Sequence, residues 1–240
     1  MSTYTNEYHV GAGETDLFNL CRPSALLNFL QDTATTHAKM IGMDHAGMIQ
    51  KHNGIWVLTR YWYQLDAPVF FEDALQITTW HRGHTGALAY RDFDILRKGE
   101  RIGKAVSAWV IADVNTRRVV RLDGLAYPDN GFSGWDVQLK KITLPEGMQD
   151  AGVFDVHYSH LDINAHMNHV RYADVCTDAV SFETMSGQYV RELQINYLAE
   201  CLAGQRIRLS AATDANEAWV AGVSEEGTAK FHGMLRFAQV

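Results

Sequence analysis

The chain has 240 residues, 47% of them hydrophobic and 20% charged, the profile of an ordinary globular protein of one large or two small domains. No apolar run reaches the roughly 20 residues of a membrane helix, and the opening MSTYTNEYHVG has neither region of a secretory signal. The formal charge of −7 supplies no basic face for nucleic acid, and three scattered cysteines suit a reducing cytoplasm better than a disulfide framework.

In chain order, a short extended opening and a polar turn precede a helix expected over Pro23–Ile41. Leu26, Leu30, Thr33, His37 and Met40 recur at helical spacing, Pro23 suits the first turn and Gly42 the stop. Strands are expected at Ile55–Leu65, Ala74–His84, Ala87–Arg97 and Arg101–Asp113, with a short one at Val119–Leu122. Tyr127–Gln149, with two prolines and three glycines, reads as a linker. The same order then returns: an extended Val153–Ser159, a helix over Asn168–Met185, and strands at Tyr189–Ala199, Gln205–Thr213, Ala218–Val223 and Ala229–Gln239.

One helix followed by a meander of long strands is an α+β pattern. A curved antiparallel sheet can wrap a helix of this length, which is the hotdog arrangement. The organisation expected is two tandem hotdog folds, at 1–126 and 151–240, joined by a linker at 127–150. Charge divides unevenly between them: 13 Lys+Arg against 13 Asp+Glu up to Leu125, and 8 against 15 beyond it. The first half holds a basic stretch at Arg117, Arg118 and Arg121. It reads either as a solvated sheet edge or as a landing site for an acidic carrier.

Reactive groups are dense in one segment, His157–His169, where four histidines, an aspartate and two asparagines precede the second helix. Unpaired N–H groups at a helix start can polarise a carbonyl. Downstream, Glu200 can serve as a general base and Cys201 as a nucleophile. The corresponding stretch of the first half is the apolar Pro68-Val69-Phe70-Phe71, and its turn offers only Asp16 and Asn19. The spacing of His157, His160, His166 and His169 matches no common zinc pattern, so no metal is expected. Trp56, Tyr61, Trp62 and Tyr63 read as sheet core, with half of the run free to line a channel.

Asp162-Ile163-Asn164-Ala165-His166-Met167-Asn168, followed by Glu200-Cys201, resembles the signature of the acyl-acyl carrier protein thioesterases. Glu14-Thr15-Asp16 and Trp56-Val57-Leu58-Thr59-Arg60 agree, so the resemblance covers essentially the whole chain. It implies a double hotdog of the bacterial type, acting in the cytoplasm without a cofactor. The implied reaction is hydrolysis of fatty acyl-acyl carrier protein (ACP), with the carrier as partner and room for a homodimer.

Carried over, the catalytic set falls on Asp162, Asn164, His166, Glu200 and Cys201. Two routes stay open: attack by Cys201 with His166 as base, or attack by water activated by Glu200 or Asp162. The water route is preferred, because the acid at Glu200 opposes thiolate formation next door. Leu26, Leu30, Thr33 and Trp56 are expected to enclose the acyl chain, and Arg117 and Arg118 to meet the carrier. The competing functions are a hotdog acyl-CoA thioesterase, a hydratase or dehydratase, and a non-catalytic acyl-binding module. Ala165 stands where hydratase motifs usually carry proline, and Glu200-Cys201 has no role in either of the last two.

Overall fold

Each half of the chain builds its sheet in the same order. In the computed structural model, which describes residues 2–122 and 134–240, the first half contributes β1 (Thr3–His9), β2 (Gly54–Leu65), β3 (Ala74–Thr85), β4 (Leu88–Arg97), β5 (Glu100–Asp113) and the short β6 (Val119–Val120). The second contributes β7 (Gln149–Asp155), β8 (Gln188–Tyr197), β9 (Arg206–Asp214), β10 (Glu217–Ser224) and β11 (Ala229–Gln239). The strand orders are β1-β3-β4-β5-β2 and β7-β9-β10-β11-β8, with β6 on β5. In each order, the strand before the helix stands first and the strand after it stands last.

The chain divides into two compact units: Met1–Val10 with Asn28–Tyr63 and Glu72–Leu139, and Gly11–Leu27 with Gln64–Phe71 and Lys140–Val240. The turn before the first helix and the segment after β2 thus group with the second half of the chain. Residues 127–133, the first part of the expected linker, lie outside the described residues.

Helix α1 (Pro23–Met40), whose residues up to Leu27 group with the second unit and the rest with the first, buries Leu26, Leu27, Leu30, Thr33 and His37, while Met40 is exposed. The inner face of the helix therefore changes character along its length. Leu26 and Leu30 are apolar, but the Thr33 hydroxyl meets Tyr8 Oη at 2.9 Å, and His37 Nδ1 lies 2.9 Å from Arg91. The buried Arg91 also reaches His81 Nε2 at 2.6 Å and Thr79 Oγ1 at 3.2 Å. Burial first, then the Arg91 charge, hold the His81 ring well below the ordinary imidazole range. An α-helix not expected from the sequence, α2 (His45–His52), follows; Asp44 caps it by accepting from Gly47 N at 3.2 Å, and Asn53 ends it in the left-handed region.

Residues 134–139 lie across the outer face of the first sheet. Leu139 packs with Trp62, Val106 and Ala108, and Trp135 Nε1 donates to Phe93 O at 3.1 Å. Arg82 donates to Val137 O at 2.7 Å while pairing with Asp92, and Arg60 donates to Leu139 O at 2.6 Å.

The second unit departs from expectation at its helix. The run Asn168–Met185 is not continuous but forms α3 (Arg171–Asp178) and α4 (Phe182–Met185). Thr177 turns its hydroxyl back on Ala173 O at 3.1 Å and Asp174 O at 2.9 Å, a competition that weakens a helix. Ser181 is extended and caps the next turn through Thr184 N. Helix α3 packs tightly on β11: a Cβ at Gly233 would stand 2.4 Å from Cys176 Sγ. Only glycine permits that approach.

Candidate active site

The two turns that precede the helices share one backbone design. Asp16 N donates to Leu20 O at 2.8 Å and Asp162 N to His166 O at 3.0 Å. Asn19 and Ala165, both at φ +62°, donate to the carbonyls of Asp16 and Asp162 at 3.2 and 3.0 Å. Each aspartate folds its carboxylate back on the amide two residues on, Asp16 to Phe18 N and Asp162 to Asn164 N, both at 2.8 Å. Cys21 N then reaches Val69 O and Met167 N reaches Cys201 O, again both at 2.8 Å. Asn164 is thus the counterpart of Phe18, His166 of Leu20, and Cys201 of Val69. The two asparagines, Asn19 and Asn164, are not equivalent.

On that common frame only the second turn carries an acid–base set. The His166 ring lies between two carboxylates, with Nδ1 3.8 Å from Asp162 Oδ1 and Nε2 3.9 Å from Glu200 Oε1. Asp162 and His166 are partly shielded, at 19% and 29% exposure, and Glu200 is open at 62%. The backbone joins the pieces, because residues 166 and 202 form a bridge just past the Glu200-Cys201 corner. Asn164 is exposed at the tip beside Ile163.

Cys201 points the other way, into the unit, and is buried. Burial pushes its thiol up, while a hydrogen bond from Tyr172 and the nearby Lys230 charge act in the opposite direction. Tyr172 sits edge-on to Tyr197 and Phe231, with ring centroids 5.2 Å away in each case. Lys230 donates to Glu200 O at 2.7 Å. Neither Tyr172 nor Lys230 was singled out from the sequence.

The expected start of the second helix also shifts. It begins at Arg171, and its opening amides are taken by Asn168, whose Oδ1 accepts from Val170 N at 3.1 Å and whose carbonyl accepts from Arg171 N at 3.0 Å. These two amides are thereby occupied within the turn. His157 and His160 are not on a strand: they bracket a 3-10 turn, with His157 N donating to His160 Nδ1 at 3.0 Å. Burial lowers the His160 ring, with His157 and Arg171 adding to it. The His169 ring is driven down to about 4, by burial first and then by His166. Among the described residues no group of three or more His, Cys, Asp and Glu is placed to hold a metal ion.

Of the residues expected to bind substrate, Leu26, Leu30 and Thr33 are buried on α1. Trp56 is half-buried and donates from Nε1 to Met43 O at 3.0 Å. Arg117 and Arg118 are exposed on the tight turn after β5. A hollow in the second unit, lined by Asp16, Leu20, Cys21, Val69, Gln188 and Tyr189 among others, lies at the first turn, where there is no histidine.

Comparison with known proteins decides the family. The model of the acyl-ACP thioesterase N-terminal domain matches residues 1–124, and that of the C-terminal domain matches residues 146–233. The chain belongs to the acyl-ACP thioesterase family. A chloroplastic acyl-[acyl-carrier-protein] hydrolase of Cuphea viscosissima is 24% identical over 88% of this chain and 53% of its own length. A chloroplastic oleoyl-acyl carrier protein thioesterase of Arabidopsis thaliana is 25% identical over 83% and 60%. The chain therefore spans a little over half the length of these relatives.

Two solved family structures align over nearly their whole length. An acyl-ACP thioesterase from Bacteroides thetaiotaomicron has a TM-score of 0.87 at 22% identity, covering 98% of each chain. The 12:0-ACP thioesterase from Umbellularia californica has a TM-score of 0.81 at 16% identity, covering 99% of this chain and 98% of its own. The fold is the double hotdog of the family, as expected from the sequence. Among the described residues no helix is long and apolar enough to cross a membrane.

Proposed function

We propose that this acyl-ACP thioesterase family member hydrolyses the thioester of a fatty acyl-ACP, releasing free fatty acid in the cytoplasm. The observation that carries the proposal is the His166 ring between Asp162 and Glu200, set on a turn whose twin in the same chain has leucine at that place. Asp162 faces Nδ1 and favours the proton there, which leaves Nε2 as an acceptor beside the Glu200 carboxylate. Two acceptors 3.9 Å apart can share the two protons of one water molecule. Glu200 takes one proton as the water oxygen attacks the thioester carbonyl carbon, and a tetrahedral oxyanion forms. Asn164, exposed on the same turn, is a donor for that oxyanion. Collapse breaks the carbon–sulfur bond, and the proton passes to the leaving carrier thiolate.

The buried thiol of Cys201, pushed up by its surroundings, supports water rather than sulfur as the nucleophile. Glu200→Gln is expected to lower kcat on acyl-ACP on the order of 10²-fold, and Cys201→Ala to cost about tenfold or less through the packing it leaves. Turnover abolished by Cys201→Ala while Glu200→Gln stays active, or a trapped acyl-Cys201 adduct, would overturn the water route. The alternatives of hydration and passive binding are separated by the same preparation: thiol release from acyl-ACP without hydration of enoyl-CoA supports the hydrolase, and the reverse removes it.

On the acyl side, the proposal is that Leu30 meets the acyl chain and that the polar set at Thr33, His37 and Arg91 limits its length. A product profile unchanged by Leu30→Ala and Thr33→Ala would count against this. Arg117 and Arg118 are proposed to meet the carrier; a KM for acyl-ACP unaltered by reversing both charges would remove that role.

A further inference from the structure

Lys230 occupies an irregular point on β11. Strands β10 and β11 pair Val223 with Ala229 and Gly222 with Phe231, which leaves Lys230 as the extra residue of a β-bulge. The first unit has the same bulge: β4 and β5 pair Leu96 with Arg101 and Ile95 with Gly103, leaving Ile102. Both bulged residues are buried, at 6% and 8% exposure. A bulge re-aims a side chain inward or toward a site. For Ile102 the inward aim needs no further reason, since it buries an apolar group. An ammonium in the same place costs free energy unless something receives its protons.

The receiver is the catalytic corner. Lys230 Nζ donates to Glu200 O at 2.7 Å. From the other side, the Lys230 carbonyl accepts from Leu198 N at 2.9 Å and Ala199 N at 3.1 Å. One residue therefore holds three consecutive positions, 198 to 200, immediately before Cys201. The half of the chain with the isoleucine has the apolar Pro68-Val69, and the half with the lysine has the corner that brings a carboxylate to His166. The nearby charge also acts on the Cys201 thiol, against the effect of burial.

We propose that Lys230 is a positioning residue for the thioester hydrolysis argued above, on which this assignment rests: its ammonium clamps the Glu200 carbonyl and so fixes the Glu200 carboxylate opposite His166. Lys230→Met keeps length and burial while removing the donor, and Lys230→Arg restores one. In the full chain acting on acyl-ACP, the Met variant is expected to lose on the order of 10- to 10²-fold in kcat with KM within about twofold of native, as for a displaced catalytic group. The Arg variant is expected to recover part of that loss. Independently of turnover, the pH midpoint for iodoacetamide labelling of Cys201, read on its own peptide by mass spectrometry, is expected to move up in the Met variant.

An equally active Met variant would overturn the assignment. So would kcat, KM and melting temperature failing together, without rescue by Arg and without movement of the labelling midpoint, which is the signature of a merely structural residue. If the native protein itself releases no thiol from any acyl-ACP, the hydrolase reading falls instead, and the labelling midpoint still decides whether Lys230 acts on the corner.

Discussion

The paired turns provide an internal control for the role of Asp162. Its carboxylate does two things: it closes the turn by accepting from Asn164 N at 2.8 Å, and it faces His166 Nδ1 at 3.8 Å. Asp16 does only the first, accepting from Phe18 N at 2.8 Å and Leu20 N at 2.9 Å. Asp162→Asn keeps an oxygen for the turn and removes the charge. At 3.8 Å the carboxylate favours the proton on Nδ1 and so keeps Nε2 an acceptor for the attacking water. Without that charge the ring is free to take the other tautomer, which turns a donor toward the water. The kcat should then fall on the order of 10²-fold, about 2.7 kcal/mol, with little change in stability. Asp16→Ala should do the opposite. Losing two backbone hydrogen bonds to a charged group costs about 2 kcal/mol, a drop of roughly 4–8 °C in Tm, while kcat stays within about threefold. Thiol release from acyl-ACP and thermal melts on the same preparations read both quantities. Asp162→Asn retaining near-native kcat, or folded Asp16→Ala losing activity as severely, would refute the division of roles.

Two further predictions concern the second unit. Gly233→Ala places a methyl 2.4 Å from Cys176 Sγ and should destabilise by about 1–3 kcal/mol. Adding Cys176→Ala removes the opposing sulfur, so the double variant should regain much of the loss, and strict additivity in denaturant melts would contradict the contact. His169 is lowered from 6.5 to about 4, so the unfolded chain binds its proton more readily than the folded one. The stability it supports is present above about pH 6.5 and is lost as pH falls toward 4, by up to about 3 kcal/mol. His169→Gln should flatten the decline in urea stability across that window; an unchanged slope would show that another group is responsible.

Much of this was legible in the residues. Alternating apolar runs and turn glycines mark the strands, whose observed limits differ by at most two residues from those expected, except that β7 (Gln149–Asp155) lies four residues before the extended Val153–Ser159. Helix α2 was missed because eight residues containing Gly47 carry little periodicity, although Asp44 and Asn53 stood at its ends as caps. The second helix was drawn too long because its apolar residues continue at helical spacing through Val180, whereas Thr177 and Ser181 redirect the backbone locally. The inner face of α1 read as apolar from Leu26 and Leu30, yet His37 is buried against Arg91, a residue from a distant strand. No local pattern could supply that pairing. Lys230 was overlooked for the same reason: its meaning depends on a bulge and on a carbonyl 30 residues away in sequence.

The first turn also explains why an Asp-x-x-x motif alone is an ambiguous signal. Asp16 and Asp162 solve the same problem, since each supplies a carboxylate for the amide two residues on, whatever the turn is used for. What separates the two halves of the chain is what a shared backbone presents: His166 for Leu20, Glu200-Cys201 for Pro68-Val69, and Lys230 for Ile102. The first change adds an imidazole, the second a carboxylate that faces it, and the third a cation that holds the carboxylate's own main chain. Each costs burial or repulsion where the apolar twin costs none. Their coincidence in one half of the chain is therefore poorly explained by folding alone.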